Sequence, residues 1–430
     1  MASLSDIRGG KKILSPTPEF NTEIMSLFSG ITTAFHSRMA ATREVQGQGF
    51  SIVFFIVIVA AFIGLYIWYG NYVQTLETPS NISRVVRDAI AANDKYSVNN
   101  PNRVGLRDYL KRLNIGDDQT AFTNFYISTV NATGFFFPAT NGVFSPAAAR
   151  LAVLGGARGF VFDIWPDLSQ GAGFAPSVQI VEPGSLWRRI SLNSLPFSLV
   201  LKAVVNEALE VAGRPGYYDP VVLYLRFRGK PRSSTYESTY NVLQDAINKY
   251  RLDTSFNSCR GQDRLFRTPI QNLMRKIVVV SNTRAEGTNL GEYINIGPSD
   301  GFKQEYLPSE SRDLSMDAKT DAIRKIKQTI TFVAPYSETP QAESNDWDFT
   351  PSMDIGIQCI AMNFWKQTDK LKDYLSDAKF GKQSFLIKPP GLRFVVETLP
   401  KSASPPNFNW GEGEAAGKPH PPRSLTIPGQ

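Results

Sequence analysis

The run Gly155-Gly156-Ala157-Arg158-Gly159-Phe160-Val161-Phe162-Asp163-Ile164-Trp165 decides how this 430-residue chain is read. It follows a helical segment, Ser145 to Leu154. From Phe160 to Trp165 it is apolar and β-rich with one charge, Asp163. A carboxylate in such a strand is costly unless it is paired or holds a cation. Two other segments share the pattern of apolar strand, polar residue and turn: Phe125 to Asn131 and Val221 to Arg226. In a barrel of parallel strands, chemistry gathers where the strands end.

Outward from this run, strands and helices alternate. Phe125 to Val130, Phe160 to Trp165, Ser177 to Val181, Val221 to Phe227, Lys276 to Val280, Ile357 to Asn363 and Phe385 to Ile387 read as strands. Glu292 to Ile296 is a further candidate. Helices are predicted over Pro146 to Leu154, with Ser145 as N-cap, and over Pro196 to Ala212, Tyr236 to Tyr250 and Asp317 to Ile330. Such alternation predicts parallel βα units. About eight of them predict an α/β fold of the TIM type, a closed (β/α)8 barrel. The rival is an open doubly wound sheet, but no Gly-rich phosphate loop follows the first strand.

Residues 1–49 read as a flexible tail. Residues 50–69, FSIVFFIVIVAAFIGLYIWY, carry no charge. They are long enough to span a bilayer core of about 30 Å as one uncleaved transmembrane helix. Tyr66, Trp68, Tyr69 and Tyr72 supply an aromatic belt at its C-terminal end. Arg38 and Arg43 lie close on the N-terminal side, which favours a cytoplasmic N-terminus. Residues 70–121 read as a helical linker, with Ser83 to Ala92 and Val104 to Leu113 as its helices. Residues 122–399 form the barrel, and residues 400–430 a disordered Pro-rich tail. Sequons at Asn81 and Asn131 matter only if the main domain is exported.

Composition narrows the function. Apolar content of 42% fits a folded domain, and a net charge of +7 favours acidic partners such as anionic lipid headgroups. The basic run Arg226/Arg228/Lys230/Arg232 lacks the interleaved aromatics of a nucleic-acid reader. Two cysteines and two histidines exclude zinc spacing. Sequence leaves open whether Cys259 and Cys359 pair. His36 and His420 both lie outside the barrel, so an enzyme here needs another proton shuttle.

Several segments, in order, resemble the catalytic barrel of the phosphoinositide-specific phospholipase C family. Phe125 to Thr133 resembles the family's first strand, which ends Ser-Ser-His-Asn-Thr. Gly156 to Trp165 resembles its Gly-Cys-Arg-x-x-Glu-x-Asp-x-Trp strand. Pro220 to Leu225 resembles Pro-Val-Ile-Leu-Ser-Leu, which a Glu follows. Gly356 to Phe364 resembles Gly-Cys-Gln-x-Val-Ala-Leu-Asn-Phe, and Phe385 to Pro389 resembles Tyr-Val-Leu-Lys-Pro. The resemblance covers about 122 to 395. It implies a TIM barrel and a calcium-assisted attack of the inositol 2-hydroxyl on a phosphodiester, with two histidines as acid and base.

This chain departs from that pattern at the chemical positions. The family histidines fall at Val130 and near Ile180. Of the metal ligands, Asn131 and Asp163 remain, one carboxylate becomes Val161, and the ligand after the fourth strand becomes Arg226. The family's phosphate-binding lysines fall on Val280 and Asn282. A guanidinium in place of a carboxylate reverses the local charge, so no cofactor is expected where the family holds calcium. An Arg226–Asp163 pair is expected to fill the former metal site, with Arg226 and Arg228 as candidates for holding phosphate. The expected function is a membrane-anchored, catalytically inactive barrel, held in a virion or organelle membrane by residues 50–69, that serves as scaffold or binds lipid or an unknown protein. The alternative is a phosphoric diester hydrolase with relocated groups drawn from Asp163, Asp167, Glu182 and His420.

Overall fold

The computed structural model describes residue 33 and residues 54–55, 57–65, 67–68, 78–94, 102–116, 119–136, 142–167, 175–179, 191–229, 231–257, 262–298, 303–335, 347–364 and 368–395. The chain divides into two units, Met1–Phe394 and Val395–Gln430. The first unit carries the described strands: β1 (Phe125–Val130), β2 (Phe135–Phe136), β3 (Val143–Phe144), β4 (Gly159–Asp167), β5 (Ala175–Val178), β6 (Leu195–Pro196), β7 (Val221–Phe227), β8 (Ile277–Ser281), β9 (Glu305–Tyr306), β10 (Phe332–Val333), β11 (Cys359–Met362) and β12 (Phe385–Ile387).

A parallel path runs β8-β7-β4-β1-β11-β10-β9, and a parallel bridge between Val280 and Ile296 extends it beyond β8. The sheet is therefore mixed α/β with a parallel centre, and its spatial order follows chain order in both directions from β1. Three sequence expectations need correction. The segment after β4 pairs antiparallel with β4's own extension, as Ile164 to Val178 and Asp167 to Ala175, so it adds a flap and not a parallel strand. The last strand, β12, lies antiparallel across the start of β1. Glu292 to Ile296 contributes a single bridge, because a 3-10 turn occupies Asn289–Glu292. The parallel positions these leave are filled by β9 and β10, two residues each, too short to give a periodic signal.

Period two along each strand sorts the core. On β4, Phe160, Phe162 and Ile164 pack in the layer beneath the helices, while Val161 joins an interior cluster with Phe125, Ile127, Val222, Tyr224, Val278 and Val280. Burying each large aromatic in these layers contributes about 1.5–3 kcal/mol. By the same alternation Asn131, Asp163 and Arg226 belong to the interior side. Val130 does not: it is fully buried in the helix-side layer with Phe160 and Phe162.

The helices follow local chemistry. Ser145 Oγ accepts from Ala147 N at 3.2 Å and starts the helix Pro146–Leu154. The helix Phe197–Val205 ends earlier than its apolar pattern suggests, in a π turn over Asn206–Glu210, where Arg275 Nη2 donates to Leu209 O at 3.1 Å. The linker helix Pro79–Asp94 lays Ile82, Val85, Val86 and Ile90 on Phe136, Val143 and Ala148.

Residues 54–55, 57–65 and 67–68 of the apolar run are helical, and Phe55, Val57, Ile63, Leu65, Ile67 and Trp68 are exposed. Among the described residues no helix is long and apolar enough to cross a membrane. Residues 50–53, 56, 66 and 69 of the expected span lie outside them, as do Ile180, Glu182, Cys259, His36, His420 and the tails. Cys359 is a buried free thiol, pushed up to about 12 by burial.

Candidate functional site

β4 and β7 pair in register from Gly159–Val222 to Ile164–Phe227, which sets Asp163 directly beside Arg226. The pair expected from sequence is formed. Arg226 Nη2 donates to Asp163 Oδ2 at 2.8 Å and to Asn131 Oδ1 at 3.1 Å. Its Nη1 donates to Glu305 Oε1 at 2.6 Å. Tyr224 OH donates to the other oxygen of Glu305 at 2.9 Å, and Arg228 Nε to the other oxygen of Asp163 at 2.9 Å. Two arginines thus face two carboxylates.

Depth separates these groups. The Arg226 side chain is 0% exposed and that of Asp163 3%, whereas Glu305 is 24% and Arg228 19% exposed, so only the last two reach the rim. Burial alone would lower the Arg226 pKa, but Asp163 and Glu305 outweigh it and hold the guanidinium above its ordinary value. Tyr224 is held well above the usual phenol range by burial, and Glu305 adds to that. Charge-assisted bonds of this kind are roughly twice as strong as neutral ones.

This geometry sorts the residues singled out by sequence. Both terminal nitrogens of Arg226 are turned onto protein oxygens and the side chain is fully buried, so it is not presented to a headgroup phosphate. Arg228 is at the rim but already spans to Asp163. Asn131 donates to Pro335 O at 3.4 Å and is 1% exposed, which leaves its sequon inaccessible in the folded chain. Val280 is interior core, and Asn282 ties down the end of β7 by accepting from Phe227 N at 2.9 Å and donating to Phe227 O at 3.1 Å. Val161 is interior core as well. Asp167 lies on the extension of β4. Sequence reasoning missed Glu305 and Tyr224. Tyr224 shares the period of Arg226 on β7 and could have been found by that. Glu305 sits in a two-residue strand within a polar stretch and carries no signal.

Calcium, which the resemblance implies, does not fit this site. It needs about six to eight oxygens at about 2.3–2.6 Å. Here the oxygens of Asn131, Asp163 and Glu305 already accept from Arg226, so a dication would lie against the guanidinium. Among the described residues no group of three His, Cys, Asp or Glu side chains is placed to hold a metal.

A second charged group lies at the strand starts. Arg158, just before β4, stands 3.7 Å (Nε) from Asp219 Oδ2, and Asp219 Oδ1 accepts from Leu106 N at 2.7 Å. Arg103 lies over Gly156, whose φ of +90° and missing Cβ make room for the guanidinium. Burial and the neighbouring Arg158 lower Arg103 to about 10. Burial raises Asp219, with Arg158 offsetting part of that.

Comparisons place these features beside known proteins. No family model and no curated protein matches the sequence. Among solved structures, the chain is similar to PLC21 from L. pealei at 15% identity and TM-score 0.49, covering 65% of this chain and 38% of that one. It is similar to PLC21 from S. officinalis at 15% identity and TM-score 0.48, covering 66% and 39%. It is also similar to the calcium-dependent phosphoinositol-specific phospholipase C of a Pseudomonas species at 15% identity and TM-score 0.41, covering 63% of this chain and 96% of that one. The chain thus spans well under half the length of the two PLC21 proteins, and most of the bacterial enzyme.

Proposed function

We propose that this protein is a membrane-held, catalytically silent barrel of the phospholipase C type that works by binding, as a scaffold or a lipid- or protein-docking unit. The observation that carries this reading is the lodging of Arg226 among Asn131, Asp163 and Glu305. A phosphodiester transfer there would need a cation and a base where the chain supplies a guanidinium and its counter-ions. The described interior also holds no imidazole, and removing one such acid or base costs about 10²–10⁴-fold in rate.

Closure of the parallel sheet into a (β/α)8 barrel is part of the reading. It is supported by the match of spatial to chain order, by Gln304 Nε2 donating to Gly297 O at 2.6 Å across the open position, and by Tyr224 stacking on Phe332 with centroids 4.4 Å apart. Membrane attachment is supported by the uncharged run 50–69 and by the exposed apolar side chains of its described part, which soluble monomers rarely display contiguously. The proposed location is a single-pass protein of a virion or organelle membrane with its N-terminus in the cytoplasm. Anionic headgroups would be drawn by the net charge of +7, and an unidentified protein partner would take the Pro-rich tail.

Full-length protein in detergent micelles, given phosphatidylinositol and its phosphorylated forms with calcium, is expected to show no cleavage above the blank. Cleavage that Asp163→Asn abolishes would overturn the reading. Val130→His is not expected to restore activity, since position 130 faces the helix layer. In cells the full chain should resist carbonate extraction, and release by carbonate would count against the anchor.

A further inference from the structure

Asp219 divides its two oxygens at the strand starts. Oδ1 accepts from Leu106 N at 2.7 Å, which satisfies the first N–H of the helix Leu106–Leu113. Oδ2 stands 3.7 Å from Arg158 Nε, beyond hydrogen-bond reach. Arg158 is 3% exposed and donates from Nη1 to Ala157 O at 2.8 Å, but its Nε makes no hydrogen bond. Arg103 lies over Gly156 with its Nε and Nη1 buried and unbonded as well. Among the described residues Asp219 is the one carboxylate that acts on either guanidinium. Asp108, on the helix that Asp219 meets, is 65% exposed and faces Lys111. Residues 95–101, which lead into Arg103, contain no Asp or Glu.

Two guanidinium charges therefore meet one carboxylate, with three buried nitrogens unbonded. Each such nitrogen is costly to bury. Lys388, also buried, can release its proton, and burial holds it well below the ordinary amine value. Arginine has no such escape. We propose that Arg103 and Arg158 bind a small monovalent anion of the halide class at the joint between the linker and the starts of β4 and β7. One negative charge balances the cluster. A dianion would set a second charge against Asp219 Oδ2, which has no donor to shield it. Space also favours a small ion. Gly156 and Gly216 have φ of +90° and +81° and lack the Cβ atoms that would meet Arg103 Nη1 and Arg158 Nη2, so the guanidinium groups lie tight against backbone. Arg103 is only partly buried and is the outer member of the pair, so entry runs past it. The ion would also fasten the linker. Arg103 belongs to the linker, and Arg158 and Asp219 to the strands. Val104 N donates to Lys382 O at 2.6 Å and Leu106 N to Asp219, and an anion shared by Arg103 and Arg158 adds a third tie beside these two.

The proposal holds whether or not the barrel is silent. The test is thermal unfolding of full-length protein in detergent micelles, in sodium chloride and in sodium gluconate at equal ionic strength. The linewidth of chloride NMR gives a direct readout. Gluconate is too bulky for a buried site. Wild type is expected to unfold at a higher temperature in chloride, with a gain that grows as the logarithm of concentration above the dissociation constant. It should also broaden the chloride line, and bromide should compete the broadening away. Arg103→Met is expected to lose both effects. Arg103→Lys keeps the charge but loses two of the unbonded nitrogens, and should bind chloride more weakly. Asp219→Asn keeps an oxygen for Leu106 N and removes the competing charge, and should bind it more tightly. Lys388→Met should keep the wild-type response. The proposal is overturned if wild type unfolds alike in both salts and leaves the chloride line sharp, or if Arg103→Met keeps the response. Loss of the response in Lys388→Met would also overturn it, since the ion would then sit at that amine. Should Arg103→Met fail to fold, linewidths of Arg103→Lys and Asp219→Asn equal to that of wild type would overturn it.

Discussion

At the ends of β4 and β7 two arginines meet two carboxylates, every carboxylate oxygen accepts a hydrogen bond, and the distances run from 2.6 to 2.9 Å. At the starts of the same strands Arg158 and Arg103 share the single carboxylate of Asp219, with Arg158 at 3.7 Å, and Arg158 Nε, Arg103 Nε, Arg103 Nη1 and Asp219 Oδ2 make no hydrogen bond. Lys388, just past β12 on that side, is buried with no partner for Nζ, which sits 5.7 Å from the Tyr126 ring centroid. The strand ends therefore bury two arginines against two carboxylates whose oxygens are all bonded, though Arg226 Nε makes no hydrogen bond, and the starts bury excess cation with an unbonded carboxylate oxygen. An unpaired buried charge is expensive while a paired, hydrogen-bonded one is tolerable. The two regions should accordingly respond to substitution with opposite signs.

The largest effect is expected at the ends. Arg226→Met fills the space with an apolar chain and takes the fully buried guanidinium away from both Asp163 and Glu305. Breaking a buried pair in this way costs about 3–5 kcal/mol. Urea or thermal unfolding of the variant against wild type measures it. A loss under about 1 kcal/mol would mean that the paired network contributes no more than packing, and the contrast between the two ends would fail.

The opposite sign is expected at Lys388. Burial lowers its pKa well below the ordinary amine value. The folded pKa lies below the unfolded one, so the unfolded chain binds more protons as pH falls from the usual lysine range towards the folded value. Stability is full above the unfolded pKa and declines through that window. Lys388→Met removes the orphaned nitrogen and should stabilise by about 1–2 kcal/mol at neutral pH. The advantage should shrink as pH is raised towards the unfolded lysine pKa. A variant less stable than wild type at neutral pH would show that Lys388 has a counter-ion in solution.

The same contrast explains what was legible in the sequence. β1, β4 and β7 could be read nearly to the residue, because long apolar runs between turns leave little choice, and the Arg226–Asp163 pair followed from the family resemblance, which puts both residues at one former metal site. The strand-start residues inside the resembling motifs turn out to be structural. Gln358 accepts from Thr331 N and donates to the carbonyls of Thr123, Ile326 and Thr329, which joins the starts of neighbouring strands. β9 and β10 were not legible, since two residues have no period, and Glu305 went with them. The antiparallel settings of β5 and β12 were missed for another reason: an apolar strand reads the same in either direction, and only its partner fixes the sense.

The smallest effect is expected at Tyr224. Its hydroxyl donates to Glu305 at 2.9 Å, and its ring stacks on Phe332. Tyr224→Phe keeps the stack and removes one bond to a charged acceptor. A buried bond of that kind is worth about 1.5–3 kcal/mol. Glu305 is 24% exposed, however, so water can take over the freed oxygen, and the expected loss is about 1 kcal/mol. Unfolding at neutral pH reads it directly. A loss above about 2 kcal/mol would mean that the rim is dry and that Tyr224 holds Glu305 in place for Arg226. No loss would mean that Arg226 alone positions Glu305, which concentrates the stability of the strand ends in a single side chain and makes that end more fragile than its four bonded carboxylate oxygens suggest.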